Sequence, residues 1–118
     1  MLTGTFLPHG LGHLLGLQVH DAAGRQISPD GELRAPPDAH PYLRLTRRLE
    51  PGFVVTIEPG IYFIASLLAK LDGKMRARLD WGAVERFLPY GGIRIEDNLV
   101  IETSGRRNLT REAFADVE

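Results

Sequence analysis

The chain contains no cysteine, which excludes disulfides, thiolate metal sites and a cysteine nucleophile together and agrees with a reducing compartment. It has no apolar run near the roughly 18 residues that a membrane span needs, and its first ten residues have neither a basic start nor a continuous apolar stretch. Nor does either sign of charge dominate. Fourteen basic against fifteen acidic residues leave a formal net charge of -1, without the electrostatic footprint that nucleic acid or an acidic membrane surface calls for. No nucleic-acid partner and no membrane partner are expected, and the expected location is cytoplasmic. With 118 residues there is chain for about one small domain and too little for two independent cores. Hydrophobic residues at 43% and charged residues at 25% exclude a disordered tail or a coiled coil.

What the chain has in excess is glycine and proline, thirteen and eight residues, a larger share than the roughly 12% of an average protein. They gather in short sets beside polar groups: Pro8-His9-Gly10, Gly12-His13, Glu58-Pro59-Gly60 and Tyr90-Gly91-Gly92. Tight bends are thus placed next to side chains that can do chemistry. Residues 6–20 read as irregular, with at most a short helical turn, because Gly10, Gly12 and Gly16 each weaken a helix by roughly 1 kcal/mol. Residues 22–50 read as a long loop region, polar at first and carrying Pro29, Pro36, Pro37 and Pro41.

After Pro51-Gly52, the run Phe53-Val54-Val55-Thr56-Ile57 predicts a strand that delivers Glu58 at its end. Leu67, Leu68 and Leu71 suggest a short helix. Asp80 is a natural cap for another, in which Trp81, Val84, Phe87 and Leu88 share a face, and Gly91-Gly92 ends it. Ile93-Arg94-Ile95-Glu96 alternates as a strand does, with the isoleucines on one face, and Leu99-Val100-Ile101 continues as strand after a bulge or bend. Thr110 can cap a last helical turn, and the tail from Glu112 is expected to fray.

Three polar groups interrupt or end these segments: His13 with its neighbours His9 and His20, then Glu58, then Glu96. Imidazole and carboxylate together suit divalent manganese, zinc, cobalt or iron. Each histidine could equally cap a turn or satisfy a buried backbone group. A carboxylate at the mouth of a buried strand costs several kcal/mol unless a cation neutralises it, whereas Glu58 in an open turn would cost nothing. Arg94 and Glu96, two apart on a strand, make either a surface ion pair or a polar site floor.

In order along the chain, His9-Gly10-Leu11-Gly12-His13 with Val19-His20-Asp21, then Thr56-Ile57-Glu58-Pro59-Gly60-Ile61-Tyr62, then Gly92-Ile93-Arg94-Ile95-Glu96-Asp97-Asn98 resembles the three C-terminal motifs of the pita-bread metallopeptidases. Tyr42-Leu43-Arg44-Leu45-Thr46-Arg47 and Ile61-Tyr62-Phe63-Ile64 are similar to the bacterial proline dipeptidase branch. The resemblance covers nearly the whole chain. It implies an α+β fold, the C-terminal half of a pita-bread domain, with a mainly antiparallel curved sheet and short flanking helices over residues 1–118. It implies metal-dependent hydrolysis of Xaa-Pro dipeptides with two divalent ions, Mn(II) first and zinc, cobalt or iron as alternatives, and a homodimer for the full-length protein.

The same resemblance implies roles. His13, Glu58 and Glu96 match metal ligands, Glu96 bridging the two ions, and Glu58 could also manage a proton. His9 and His20 match histidines that steady the scissile carbonyl and the tetrahedral intermediate. Arg94 matches the arginine beside the bridging glutamate, and Arg44 the guanidinium that holds the carboxylate of the C-terminal proline, a contact that rewards a chain end. The family's two aspartate ligands lie upstream of the histidine motif, and here only eight residues precede His9, none acidic. The expectation is three of five ligands, no separate N-terminal domain, and no activity in this chain alone. Two alternatives stay open: an aminopeptidase P-like exopeptidase, and a non-catalytic module of the same fold that grips peptides or a partner.

Overall fold

The computed structural model describes every residue except Met1, Pro29, Asp116 and Glu118, so the constraint expected at Pro29 and the last residues of the tail lie outside the described residues. Two units divide the chain, Met1–Pro8 with Pro59–Ile95 and His9–Glu58 with Glu96–Glu118, where length alone led to a single core. The architecture is mixed α+β, with short helices and antiparallel pairing throughout. No helix among the described residues is long and apolar enough to cross a membrane.

The unit His9–Glu58 with Glu96–Glu118 is built on a three-stranded antiparallel sheet of β1 (Val54–Ile57), β4 (Asp97–Glu102) and β5 (Gly105–Asn108), with β4 in the middle. Glu50-Pro51-Gly52-Phe53 makes the turn into β1, closed by the Phe53 N–H on the Glu50 carbonyl at 3.1 Å. Gly52 adopts φ 91°, the left-handed conformation that the third position of a Pro-Gly turn demands. β1 pairs with β4 from Val54↔Val100 to Ile57↔Asp97. Along its other edge runs the glycine-rich segment 11–15: Leu15 N–H bonds Val54 O at 2.9 Å, Thr56 N–H bonds His13 O at 2.9 Å, and Glu58 N–H bonds Leu11 O at 2.7 Å. That segment is therefore an irregular extra strand, and it leaves Val55 and Thr56 only 1% exposed.

The long loop region is tied down in places. A 3₁₀ turn at Ala22–Arg25 is capped by Asp21, and Gln26 bridges Leu33. Gly24 is buried, and its carbonyl accepts from Thr46 and Arg47.

The other unit holds a ribbon of β2 (Gly60–Tyr62) and β3 (Gly92–Arg94) and four short helices: α1 (Thr3–Phe6), α2 (Ala65–Leu68), α3 (Gly73–Arg76) and α4 (Trp81–Phe87). Its core is Leu68, Leu71 and Val84, with Phe6, Phe63 and Trp81 packed around them. Asp80 caps α4 through the Ala83 N–H, and Asp72 caps α3, a helix the sequence reading did not contain.

Several expectations are corrected. Of the four residues expected to share a face of one helix, Trp81, Val84 and Phe87 lie in α4 and Leu88 falls beyond its end. Phe87 ends the helix at 49% exposure, and Leu88 opens a 3₁₀ turn set by Pro89. The strand at Ile93 stops at Arg94 and β4 already begins at Asp97, so the expected bend falls at Ile95 and Glu96, between two sheets, and Ile93 and Ile95 are exposed. Residues 112–115 belong to α5 (Leu109–Ala115) instead of a frayed tail. The residue that caps α5 is Asn108, whose side-chain Oδ1 accepts from Arg111 N–H, while the Thr110 hydroxyl accepts from Asn98 N–H in β4.

Candidate metal centre

β1 places the site. In the antiparallel register His13 lies opposite Thr56 on one side, and one step beyond the last β1–β4 pair, Ile57↔Asp97, come Glu58 and Glu96. Adjacent strands lie about 4.8 Å apart, and residues two apart on a strand share a face, so Thr56 and Glu58 point the same way. The outcome is a three-residue group: one ring nitrogen of His13 and one carboxylate oxygen each from Glu58 and Glu96 all lie within 4.8 Å of one another. His13 is 3% exposed and Glu58 6%, while Glu96 is open to solvent.

Hydrogen bonding orients the donors. His13 Nδ1 lies 2.9 Å from the Leu14 carbonyl oxygen, which can only accept, so Nδ1 carries a proton and, in the neutral ring, Nε2 the lone pair. Nε2 stands 3.4 Å from Glu58 Oε1. Such a nitrogen and a carboxylate facing each other inside a protein are reconciled by a proton or by a cation set against both, and a ring fixed through a carbonyl is the usual arrangement of a ligating histidine. One imidazole nitrogen and two carboxylates suit a divalent first-row ion.

The other residues of interest fall in three places. His20 lays its ring edge-on to that of His13, centroids 4.4 Å apart. It also lines a cavity of about 250 Å³ with Asp21, Arg25, Leu33 and Arg44, so His20, beside the donor group, and Arg44 border one space. The His9 ring is turned to the Gly10 carbonyl, Nδ1 to oxygen 2.7 Å, and is not among the three donors. Arg94 belongs to the unit of β2 and β3, where its Nε–H donates to the Tyr62 hydroxyl at 2.6 Å.

Thr56 is the residue that sequence reasoning left without a role. Its hydroxyl accepts from His13 N–H at 2.9 Å and donates to Glu58 Oε1 at 3.1 Å. The signal was a hydroxyl in an apolar strand two positions before a carboxylate. Gly12 acquires its reason here as well, since a Cβ at that position would stand 1.9 Å from the Thr56 carbonyl oxygen.

The model of metallopeptidase family M24 matches residues 2–103. The chain is 56% identical over 112 residues to the Xaa-Pro dipeptidase of Proteus mirabilis (strain HI4320), covering 94% of this chain and 25% of that relative. It is 57% identical over 116 residues to the Xaa-Pro dipeptidase of Xanthomonas campestris pv. campestris (strain B100), covering 97% and 26%. Among solved structures, aminopeptidase P from E. coli with the inhibitor Pro-Leu superposes with a TM-score of 0.53 at 34% identity, over 94% of this chain and 18% of that one. The chain thus spans about a quarter of the length of the curated relatives it matches.

Proposed function

This chain belongs to metallopeptidase family M24, and from that membership we propose that it is the C-terminal portion of the catalytic domain of a metal-dependent Xaa-Pro dipeptidase. The observation that carries the reading is the donor group of His13, Glu58 and Glu96, two of its members buried and its imidazole Nε2 turned to a carboxylate. These three would hold a divalent ion, Mn(II) by preference, and a second ion would draw further ligands from beyond them. A bound ion of this kind supplies Lewis acidity and lowers the pKa of water.

The chain's own residues do the rest. Arg44, on the cavity it shares with His20, grips the carboxylate of the C-terminal proline through its guanidinium fork. His20, held edge-on to His13, presents its ring to the scissile carbonyl, and Glu58 can take or return a proton. His9 and Arg94 stay in the proposed set through their places in the ordered motifs. The X-Pro amide has no N–H, so a site for it recognises the chain end and the ring instead of a backbone donor.

The identity above 55% to proteins named Xaa-Pro dipeptidase favours this reading, and the structural likeness to aminopeptidase P supports the second, an exopeptidase on longer X-Pro chains. The test uses the longest native polypeptide that contains this chain, loaded with Mn(II). Glycyl-proline should be cleaved in preference to longer X-Pro peptides, and Arg44→Ala should raise the KM for glycyl-proline by about 10–100-fold, the value of a charge-assisted contact. Absence of cleavage sinks both enzyme readings and leaves the non-catalytic module. Turnover of longer X-Pro peptides that Arg44→Ala spares supports the aminopeptidase.

A further inference from the structure

We infer that Thr56 is a positioning residue for the metal centre, setting the mutual placement of the His13 imidazole and the Glu58 carboxylate; this rests on the metal reading proposed above. The direction of its hydrogen bonds is fixed by chemistry. A backbone N–H can only donate, so Oγ1 must accept from His13 N–H, and the single hydroxyl proton goes to Glu58 Oε1.

That oxygen is the one standing 3.4 Å from His13 Nε2. A single side chain, 1% exposed, therefore bonds the backbone that carries one donor and a carboxylate oxygen of another. The two segments it joins lie 43 residues apart, so no local structure holds them in register. The reciprocal bond, Thr56 N–H to His13 O at 2.9 Å, closes a two-point clamp between the same residues. Threonine suits the role because its β-branch restricts χ1 and favours the strand, which aims the hydroxyl without a search among rotamers. Valine has the same shape and neither hydrogen bond. Serine keeps the hydroxyl.

The experiment titrates the longest native polypeptide that contains this chain, and its variants, with Mn(II), following loss of the free-ion EPR signal, and measures thermal unfolding of each variant without metal. Thr56→Val should weaken Mn(II) binding by about 10–100-fold, the usual effect of losing an outer partner of a ligand, and Thr56→Ser should return to near the wild-type affinity. If the wild type binds Mn(II) and Thr56→Val binds it equally well, or weakens only in proportion to a lowered metal-free melting temperature, the residue is structural and the inference fails. Should Thr56→Val not fold, Thr56→Ser decides: retained affinity supports positioning, and lost affinity refutes it. A wild-type chain that takes up no Mn(II) overturns the metal reading itself, a different result from any of these.

Discussion

At the scale of single residues, the closeness of segment 11–15 to β1 makes the two glycines on either side of Leu11 unequal. A Cβ on Gly12 would meet backbone, the Thr56 carbonyl oxygen at 1.9 Å, which cannot move without opening the strand pairing that places His13. A Cβ on Gly10 would meet the tip of the Leu43 side chain at 3.1 Å, and a leucine tip can give way. Gly12→Ala should therefore cost about 1–3 kcal/mol, the usual range for overpacking, and weaken Mn(II) binding. Gly10→Ala should leave both near wild type, as read by thermal melts and the same EPR titration. The grouping of His13, Glu58 and Glu96 is implied by the resemblance of the three ordered motifs, whereas residue patterns alone leave each of them open between a ligand and a cap, a turn or a surface pair. The role of Thr56 is not legible at all, since a threonine in a strand is explained by β-propensity alone until its partners are seen.

Elements were readable where one face is buried and unreadable where charge holds them. β1 shows in its unbroken Phe53-Val54-Val55-Thr56-Ile57, and α4 in its Asp80 cap. β5 does not, because Gly105-Arg106-Arg107-Asn108 has no apolar alternation; its end is fastened instead by polar links to β4 and α5. Arg107 grips Glu112 in α5 with two nitrogens, Nη2 at 2.6 Å and Nε at 3.2 Å, while Arg111 and Asn108 both bond Asp97. The hydrogen bonds from Arg107 hold the Glu112 carboxyl below its ordinary value of 4.5, and the cation's field acts in the same direction. A carboxyl whose folded value is depressed stabilises the fold above its unfolded value, and that contribution is lost as the pH falls through the folded one. The attachment of α5 to β5 should thus be unchanged from neutral pH down to 4.5 and loosen only below it. An NMR titration should find the Glu112 midpoint under 4.5 in the wild type and raised by Arg107→Gln; a midpoint indifferent to that substitution would show the pair to be a static contact without consequence.

For the molecule as a whole, length pointed to one core, yet the chain passes between its two units three times, at Pro8/His9, Glu58/Pro59 and Ile95/Glu96. Sequence patterns report local periodicity and say nothing about which distant segments fold together, so this division was not legible. It has a consequence for metal binding. All three donors belong to His9–Glu58 with Glu96–Glu118, although two of them are the residues at the crossings. A ligand that binds only the folded state stabilises what it binds, by about 2.7 kcal/mol at a hundred times its Kd. If the two units open separately, that gain belongs to one of them. Hydrogen exchange at saturating Mn(II) should then slow the most protected amides of β1 and β4, such as Val55, by up to about 100-fold, while those of Leu68 and Val84 in the other unit's core exchange as before. EDTA should reverse the effect, and Glu58→Gln should abolish it. Uniform slowing across both cores would mean that the three crossings bind the chain into one cooperative block, and that the metal stabilises all of it.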